Sequence, residues 1–189
     1  MAQQDFEIPK LSKGGIFGVG GIIITIVLLI VVWKSSINID YGKAGVLFKT
    51  FGGGVVIDEP PLGEGFHFVA PWNKVYKYNT KQQEIFEKGM EVLSSNGLVI
   101  TLDVSVLYQP KTSELGILHK TKGEEYRNTV IIPEIRAVAR SVIGRYTPEQ
   151  LYSSKRDAIQ NEIFEETKLK VEKQHVQLNA VLVRDVTLP

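Results

Sequence analysis

Between Gly14 and Trp33 the sequence runs GGIFGVGGIIITIVLLIVVW without one charged side chain. No other stretch constrains the chain as much. At about 1.5 Å rise per residue it makes a helix of roughly 30 Å, the thickness of a bilayer core. Lys10 and Lys13 flank one end, and Trp33 and Lys34 the other. A tryptophan at headgroup level and a snorkelling lysine suit a membrane boundary. Three other readings fit less well. A buried core helix normally carries a shorter apolar run. A signal peptide has an apolar core of about 7–15 residues followed by a small-x-small site, and Trp33 to Ile37 offers no such site. A helix lying on a surface needs a polar face, and none is present. The expectation is a short tail (residues 1–13), then one uncleaved transmembrane helix over residues 14–34. Its anchor residues are Gly14, Gly18, Gly21, Ile24, Leu28, Val31 and Trp33. The three glycines share one helical face. They read either as a close-packing seam between helices or as the glycine that membrane helices tolerate. Lysines lie on both sides of the span, so the positive-inside bias sets no orientation.

The chain is 43% hydrophobic and 23% charged, the balance of a folding sequence. A net charge of +1 without a long Lys/Arg run argues against nucleic acid as partner. With no cysteine, disulfides, Cys-ligated zinc and thiol catalysis are excluded. From Asp40 the first half reads as β-structure. Val46, Phe48 and Thr50 alternate with Leu47, Lys49 and Phe51, and Gly52-Gly53-Gly54 then turns the chain into Val55-Val56-Ile57. Further strands are expected over Lys74–Asn79 and Glu84–Leu93, with Asn96-Gly97 as a hairpin turn. In the returning strand Ile100, Leu102, Val104, Val106 and Tyr108 face a core, and Thr101, Asp103 and Ser105 face water.

The second half turns helical. Ile135, Val138, Ala139, Val142 and Ile143 form an apolar stripe opened by Pro133 and stopped by Gly144, with Arg136 and Arg140 off it. Thr147, Pro148 and Gln150 have the spacing of a capped helix start. A longer helix, capped by Ser153 or Ser154, is expected to reach Gln174. Ile159, Ile163 and Val171 lie near one face of it, and charges of both signs cover the rest. A closing strand alternates through Val176, Leu178, Ala180, Leu182, Val186 and Leu188. The layout is membrane anchor, β-rich part, then helices with a final strand: an α+β chain.

Catalysis needs convergent groups, and the sequence does not group them. His67, His119 and His175 are far apart, and none has a partner at metal-ligand spacing. His119 and His175 fall near expected helix C-termini, where a cationic imidazole is mildly favoured. Gly63-Glu64-Gly65 lacks the third glycine, trailing helix and lysine of a phosphate cradle. No enzyme, cofactor or metal site is expected. In PPLGEGFHFVAPW, Pro60-Pro61 is a stiff arm and the glycines permit a tight turn into a strand. Phe66, Phe68, Pro71 and Trp72 then have two readings. They fill the core of a small β part, or some of them, Trp72 above all, touch headgroups beside the anchor. His67 is a spacer or hydrogen bonder.

The stretch LGEGFHFVAPW resembles the signature of the SPFH or band-7 superfamily, which includes stomatins, prohibitins, flotillins and the HflK/HflC proteins. GKAGVLFKTFGG resembles the family's opening hairpin and SSNGLVITLDVSVLYQ its central one. The run from Glu124 to Ile163 resembles its second half, and VLVRDVTLP its closing strand. Each motif is weak alone; five in order are strong, and the tone of the second half is nearest to prohibitins. The resemblance implies a β-rich SPFH1 subdomain over 39–110 against the bilayer and an α/β SPFH2 subdomain over 111–189. It also implies a scaffold that associates with itself or a paralogue into rings or cages, often around a membrane AAA protease of the FtsH type. A regulator docking one protease or channel at low stoichiometry is the alternative. For the bacterial inner or mitochondrial inner membrane, the domain would face the periplasm or intermembrane space; a stomatin-like protein would face the cytoplasm. Family members usually run on into a long coiled coil, and this sequence ends at Pro189. The assembly surface is expected on the long charged helix, at Arg156, Asp157, Glu162, Glu165, Glu166, Lys170 and Lys173. Those charges pair between neighbours, or they form a solvated face with local pairs.

Overall fold

The computed structural model describes residues 13–152 and 155–187. The tail with Lys10, the expected caps Ser153 and Ser154, and Leu188 of the closing strand lie outside the described residues. Helix α1 covers Lys13–Ser35, 23 residues. Its side chains are described from Gly20 onward, and the large apolar ones are exposed, from 40% at Val31 to 80% at Trp33. Among the described residues no helix is long and apolar enough to cross a membrane. The part of α1 with described side chains is shorter than the roughly 20 residues that a crossing takes.

The chain passes from α1 directly into strand β1 (Ser36–Ile39). β1 pairs antiparallel with β4 (Gly65–Phe68), and the register sets Phe68 opposite Ser36 and Phe66 opposite Asn38. A second sheet has the order β3-β2-β5, from β2 (Lys43–Lys49), β3 (Gly54–Val55) and β5 (Lys74–Asn79). The three-glycine turn between β2 and β3 has positive φ throughout, at +86°, +123° and +69° for Gly52, Gly53 and Gly54. Only glycine adopts such a run without steric cost. The expected strand Val55–Ile57 shrinks to Gly54–Val55. Val56 still donates to the Leu47 carbonyl at 2.9 Å, but Pro60-Pro61 soon follow and carry no donors. Ile39, Ala44, Val46 and Tyr78 are the buried apolar side chains of this lobe, and the last three are continuous with the core of the larger lobe.

The larger lobe is a three-stranded antiparallel sheet, β6-β7-β8: β6 (Gln83–Leu93), β7 (Val99–Pro110) and β8 (Val176–Thr187). Asn96-Gly97 makes the β6–β7 turn, with Gly97 at φ +82°. Between β7 and β8 come α2 (Leu115–Lys122), a π-type turn over Arg127–Ile131 that runs into α3 (Ile132–Ile143), α4 (Pro148–Tyr152) and α5 (Arg156–Val171). The α3 stripe of Ile135, Val138, Ala139, Val142 and Ile143 is fully buried, as are Ile159, Ile163 and Val171 of α5. They join the β7 residues Ile100, Leu102, Val104, Val106 and Tyr108 in one core. Burial of this layer stabilises the lobe by about 25 cal/mol per Å² of apolar surface removed from water. α4 starts as expected: Thr147 N–H donates to Gln150 Oε1 at 3.0 Å, the reciprocal arm of a capping box.

Three details differ from the sequence-based expectation. Ser105 is buried rather than wet, and its hydroxyl has no hydrogen-bond partner. β7 is the central strand, and Phe86 and Leu182 flank Ser105 across the ladder on either side. The strict alternation of the closing strand fails as well. Register shifts between Asp103/Val104 and Leu107/Tyr108 insert extra residues on β8. Its phase therefore changes: Val181 and Val183 turn inward while Leu182 is 37% exposed. Finally, α5 starts at Arg156, after Lys155, which makes no side-chain cap.

Candidate membrane-facing and assembly surfaces

The β1–β4 ladder fixes the first surface. β1 leaves α1 without a linker, and the Val69 amide donates to the Ser35 carbonyl at 2.8 Å, which ties the end of β4 to the end of the helix. Side chains on β4 are therefore held at the foot of α1. Phe66 and Phe68 are 61% and 69% exposed and stack edge-on, with ring centroids 5.0 Å apart. The reading in which they fill the small core is thus overturned. A two-stranded ladder has too little mass to cover either ring. Trp72 is 54% exposed, and its ring lies 6.2 Å from Phe51, itself 76% exposed. Pro71 precedes it in the turn after β4. Thr50 holds this turn: its hydroxyl donates to the Trp72 carbonyl and its amide to Asn73 Oδ1. With Trp33 on α1, these two ring pairs are a large exposed apolar set for a small lobe. Sequence reasoning missed Phe51, which reads as one more residue in an alternating strand. The glycine turn after it ends the strand and leaves the ring outside.

The three histidines make hydrogen bonds. His67 Nε2 lies 2.7 Å from the Gly63 carbonyl, across the tight turn into β4. His175 Nδ1 lies 2.7 Å from Glu114 Oε2. His119 belongs to the joint between the lobes. Its Nδ1 is 2.6 Å from the Tyr78 hydroxyl, and its ring stacks on Tyr76 at 4.2 Å. Burial pushes the His119 imidazole below its ordinary value, with Glu124 opposing in part. The cationic form expected at a helix C-terminus is thus disfavoured, because desolvation outweighs the attraction of Glu124. Burial raises the neighbouring phenols too, Tyr126 to about 12. Among the described residues no group of three His, Asp or Glu could hold a metal ion.

The charged face of α5 proves heterogeneous. Arg145, just beyond α3, donates to Glu162 at 2.5 Å and to Glu166 at 2.8 Å. Tyr146 donates to the other Glu162 oxygen at 2.6 Å. The Glu166 contact holds the Arg145 guanidinium above its ordinary value. Lys170 reaches Glu134 of α3 at 3.5 Å. Arg156 donates to the Val183 and Arg184 carbonyls of β8, at 2.8 and 2.7 Å. Four of the seven residues expected on the assembly surface therefore hold this chain's own elements together. Asp157, Glu165 and Lys173 stay exposed and, among the described residues, form no ion pair. Leu169, 65% exposed on the same helix, joins them. The sequence reading did not single it out.

Comparison with known proteins agrees with this architecture. Prohibitin-2 of Dictyostelium discoideum is 24% identical over 181 residues, 94% of this chain and 59% of that protein. Prohibitin-1 of Saccharomyces cerevisiae is 24% identical over 157 residues, 81% of this chain and 52% of its own length. The mitochondrial Prohibitin-4 of Arabidopsis thaliana is 30% identical over 126 residues, 65% of this chain and 43% of that protein. The chain thus spans about half the length of these curated relatives. The model of the SPFH domain / Band 7 family matches residues 37–189, from β1 to the end of the sequence. With both lobes inside that match, the chain belongs to the SPFH domain / Band 7 family.

Proposed function

We propose that this chain is a non-catalytic membrane scaffold. In this reading α1 spans the bilayer, the rings at its foot rest among the headgroups, and neighbouring subunits associate laterally into a ring or cage. One observation carries the reading: a helix exposing Ile, Leu and Val runs without a linker into a ladder whose exposed rings are Phe66 and Phe68. The support for the span is the uncharged run from Gly14 to Trp33, which at about 1.5 Å per residue makes roughly 30 Å of helix, the thickness of a bilayer core. The Thr25 hydroxyl bonds back to the Gly21 carbonyl at 2.9 Å, a satisfaction that lipid demands. Gly14, Gly18 and Gly21 would supply a packing seam. Phe66, Phe68, Pro71 and Trp72 would contact headgroups, and Asp157, Glu165 and Lys173 would meet the neighbouring subunit.

The Arabidopsis relative is named as mitochondrial, which supports a mitochondrial inner membrane or its bacterial counterpart; the folded lobes would then face the intermembrane space or periplasm. A membrane AAA protease of the FtsH type is the partner such a cage would sequester. Extraction with carbonate, then electron microscopy in mild detergent, tests this. The protein stays with the membrane and forms large annular particles; a monomer or dimer from the full natural gene refutes the scaffold. A second reading, a regulator bound to one protease or channel at low stoichiometry, is favoured by the Arg145–Glu162–Glu166 network. Charges engaged within the chain are not available between subunits. A fixed small complex without rings would support that reading.

A further inference from the structure

The order β6-β7-β8 leaves two strands at the edges of the larger sheet. The two edges are treated differently. On β8, Arg156 donates to the Val183 and Arg184 carbonyls, and Gln160 Oε1 accepts from the Val183 amide at 3.1 Å. α5 thus occupies the backbone groups that would otherwise template another strand. β6 has no such stopper. Among the described residues no hydrogen bond from an element other than β7 reaches the backbone of Met90–Leu93; beyond it the Ser95 amide donates to the Tyr146 carbonyl at 3.0 Å, which closes that end.

Beside this length of edge lies a groove of about 680 Å³, with Glu91, Leu93 and Val99 on one wall and Arg140 and Gly144 of the α3 end on the other. It continues past Arg136 into a recess of about 330 Å³ near Lys88 and Gly89. Gly144 lies beside the Leu93 carbonyl: a Cβ there would sit 3.6 Å from it, in ordinary contact. Leu93, Leu98 and Val99 are 59%, 45% and 45% exposed at this end of the hairpin. Arg136 is engaged by Glu87 at 2.6 Å. Arg140, one turn on, is exposed and, among the described residues, has no carboxylate partner.

We propose that the groove between the Met90–Leu93 edge of β6 and helix α3 takes a short extended segment of a partner protein, which adds a fourth strand to the sheet and sets a carboxylate against Arg140. Edge strands lined by a helix bind peptides in this way, with main-chain hydrogen bonds giving affinity and alternate side chains giving selectivity. The fitting segment alternates. Acidic residues face α3, and apolar ones face Leu93 and Val99. It is also short. The register shift between Glu87 and Met90, with Gly89 at φ +65°, breaks the edge upstream. Four residues remain, about 13 Å at 3.3 Å each. The same bulge, with Lys88 beside it, blocks open-ended pairing. A second copy offers only its own β6 edge, since its β8 edge is stoppered, and the bulge at Glu87–Met90 in both copies limits such a pairing to four residues.

The test titrates the full chain in detergent micelles with a fluorescein-labelled hexapeptide of three Val-Asp repeats and follows anisotropy. Two controls are a Val-Lys hexapeptide and a Val-Asp peptide N-methylated at alternate amides. Saturable binding of the Val-Asp peptide is expected, with the Val-Lys peptide about tenfold weaker and the N-methylated one not bound. Arg140→Glu, at an exposed position, reverses the preference between Val-Asp and Val-Lys without changing thermal stability. No saturation up to about 1 mM overturns the proposal. So does equal binding of the N-methylated peptide, or an unchanged preference in Arg140→Glu. Self-association abolished by Arg140→Glu also overturns it, because a second copy would then be the occupant.

Discussion

Helix α2 is pressed against the β3 segment at a glycine, which allows a prediction whose sign is not obvious. Gly116→Ala would normally help a helix by up to about 1 kcal/mol, and less near a helix start. Here the new Cβ would lie 2.5 Å from the Val56 carbonyl oxygen and 3.2 Å from Ile57 Cα. An ordinary contact is about 3.5 Å, so α2 or the Val56–Ile57 backbone must retreat by roughly 1 Å. The obstacle is main chain, which cannot swing aside as a side-chain end can. Overpacking of this kind costs about 1–3 kcal/mol, so the net effect is a loss of about 1–2 kcal/mol. For a chain of this size that lowers Tm by about 2–8 °C. The assay is thermal unfolding of the full chain in detergent, followed by near-ultraviolet circular dichroism. Gly63→Ala is the control, because nothing lies within 4 Å of its Cβ position. If Gly116→Ala unfolds at or above the wild-type temperature while the control is unchanged, α2 is not held against Val56 and the joint between the lobes is looser than described.

Other outcomes follow from the same geometry. His119 is held below its ordinary 6.5 by burial, so the unfolded chain binds the proton more readily. Its contribution to stability is therefore intact above pH 6.5 and falls as pH drops below it; His119→Gln flattens that slope in urea titrations at pH 7.5 and 5.5. Arg156→Ala removes two charge-assisted hydrogen bonds to β8 and costs about 1–2 kcal/mol. It also bares the β8 edge, and sedimentation should then detect concentration-dependent association. In vesicles with brominated lipid, a Trp33→Phe protein keeps Trp72 as its fluorophore. Strong quenching by bromine near the headgroups supports the proposed surface, and no quenching at any depth removes Trp72 from it.

Much of the fold is legible because its elements obey simple periods. The β7 core face alternates strictly, and the α3 stripe repeats every three to four residues. The Asn96-Gly97 turn needs the left-handed conformation that Gly97 supplies. These are local consequences of side-chain direction, and they decide strand, helix and turn before any packing exists. What reads wrongly depends on neighbours distant in sequence. Ser105 is buried because two other strands close over it. Leu182 is exposed because bulges on β8 change the phase of its pleat. Phe66 and Phe68 stand outside because a two-stranded ladder cannot enclose them. Sequence alone determined an apolar helix, a β-rich part and charged helices, since hydrophobic period is a property of the chain itself. Tertiary structure alone decided which charges pair within the chain and which sheet edge stays open, because both depend on what packs alongside.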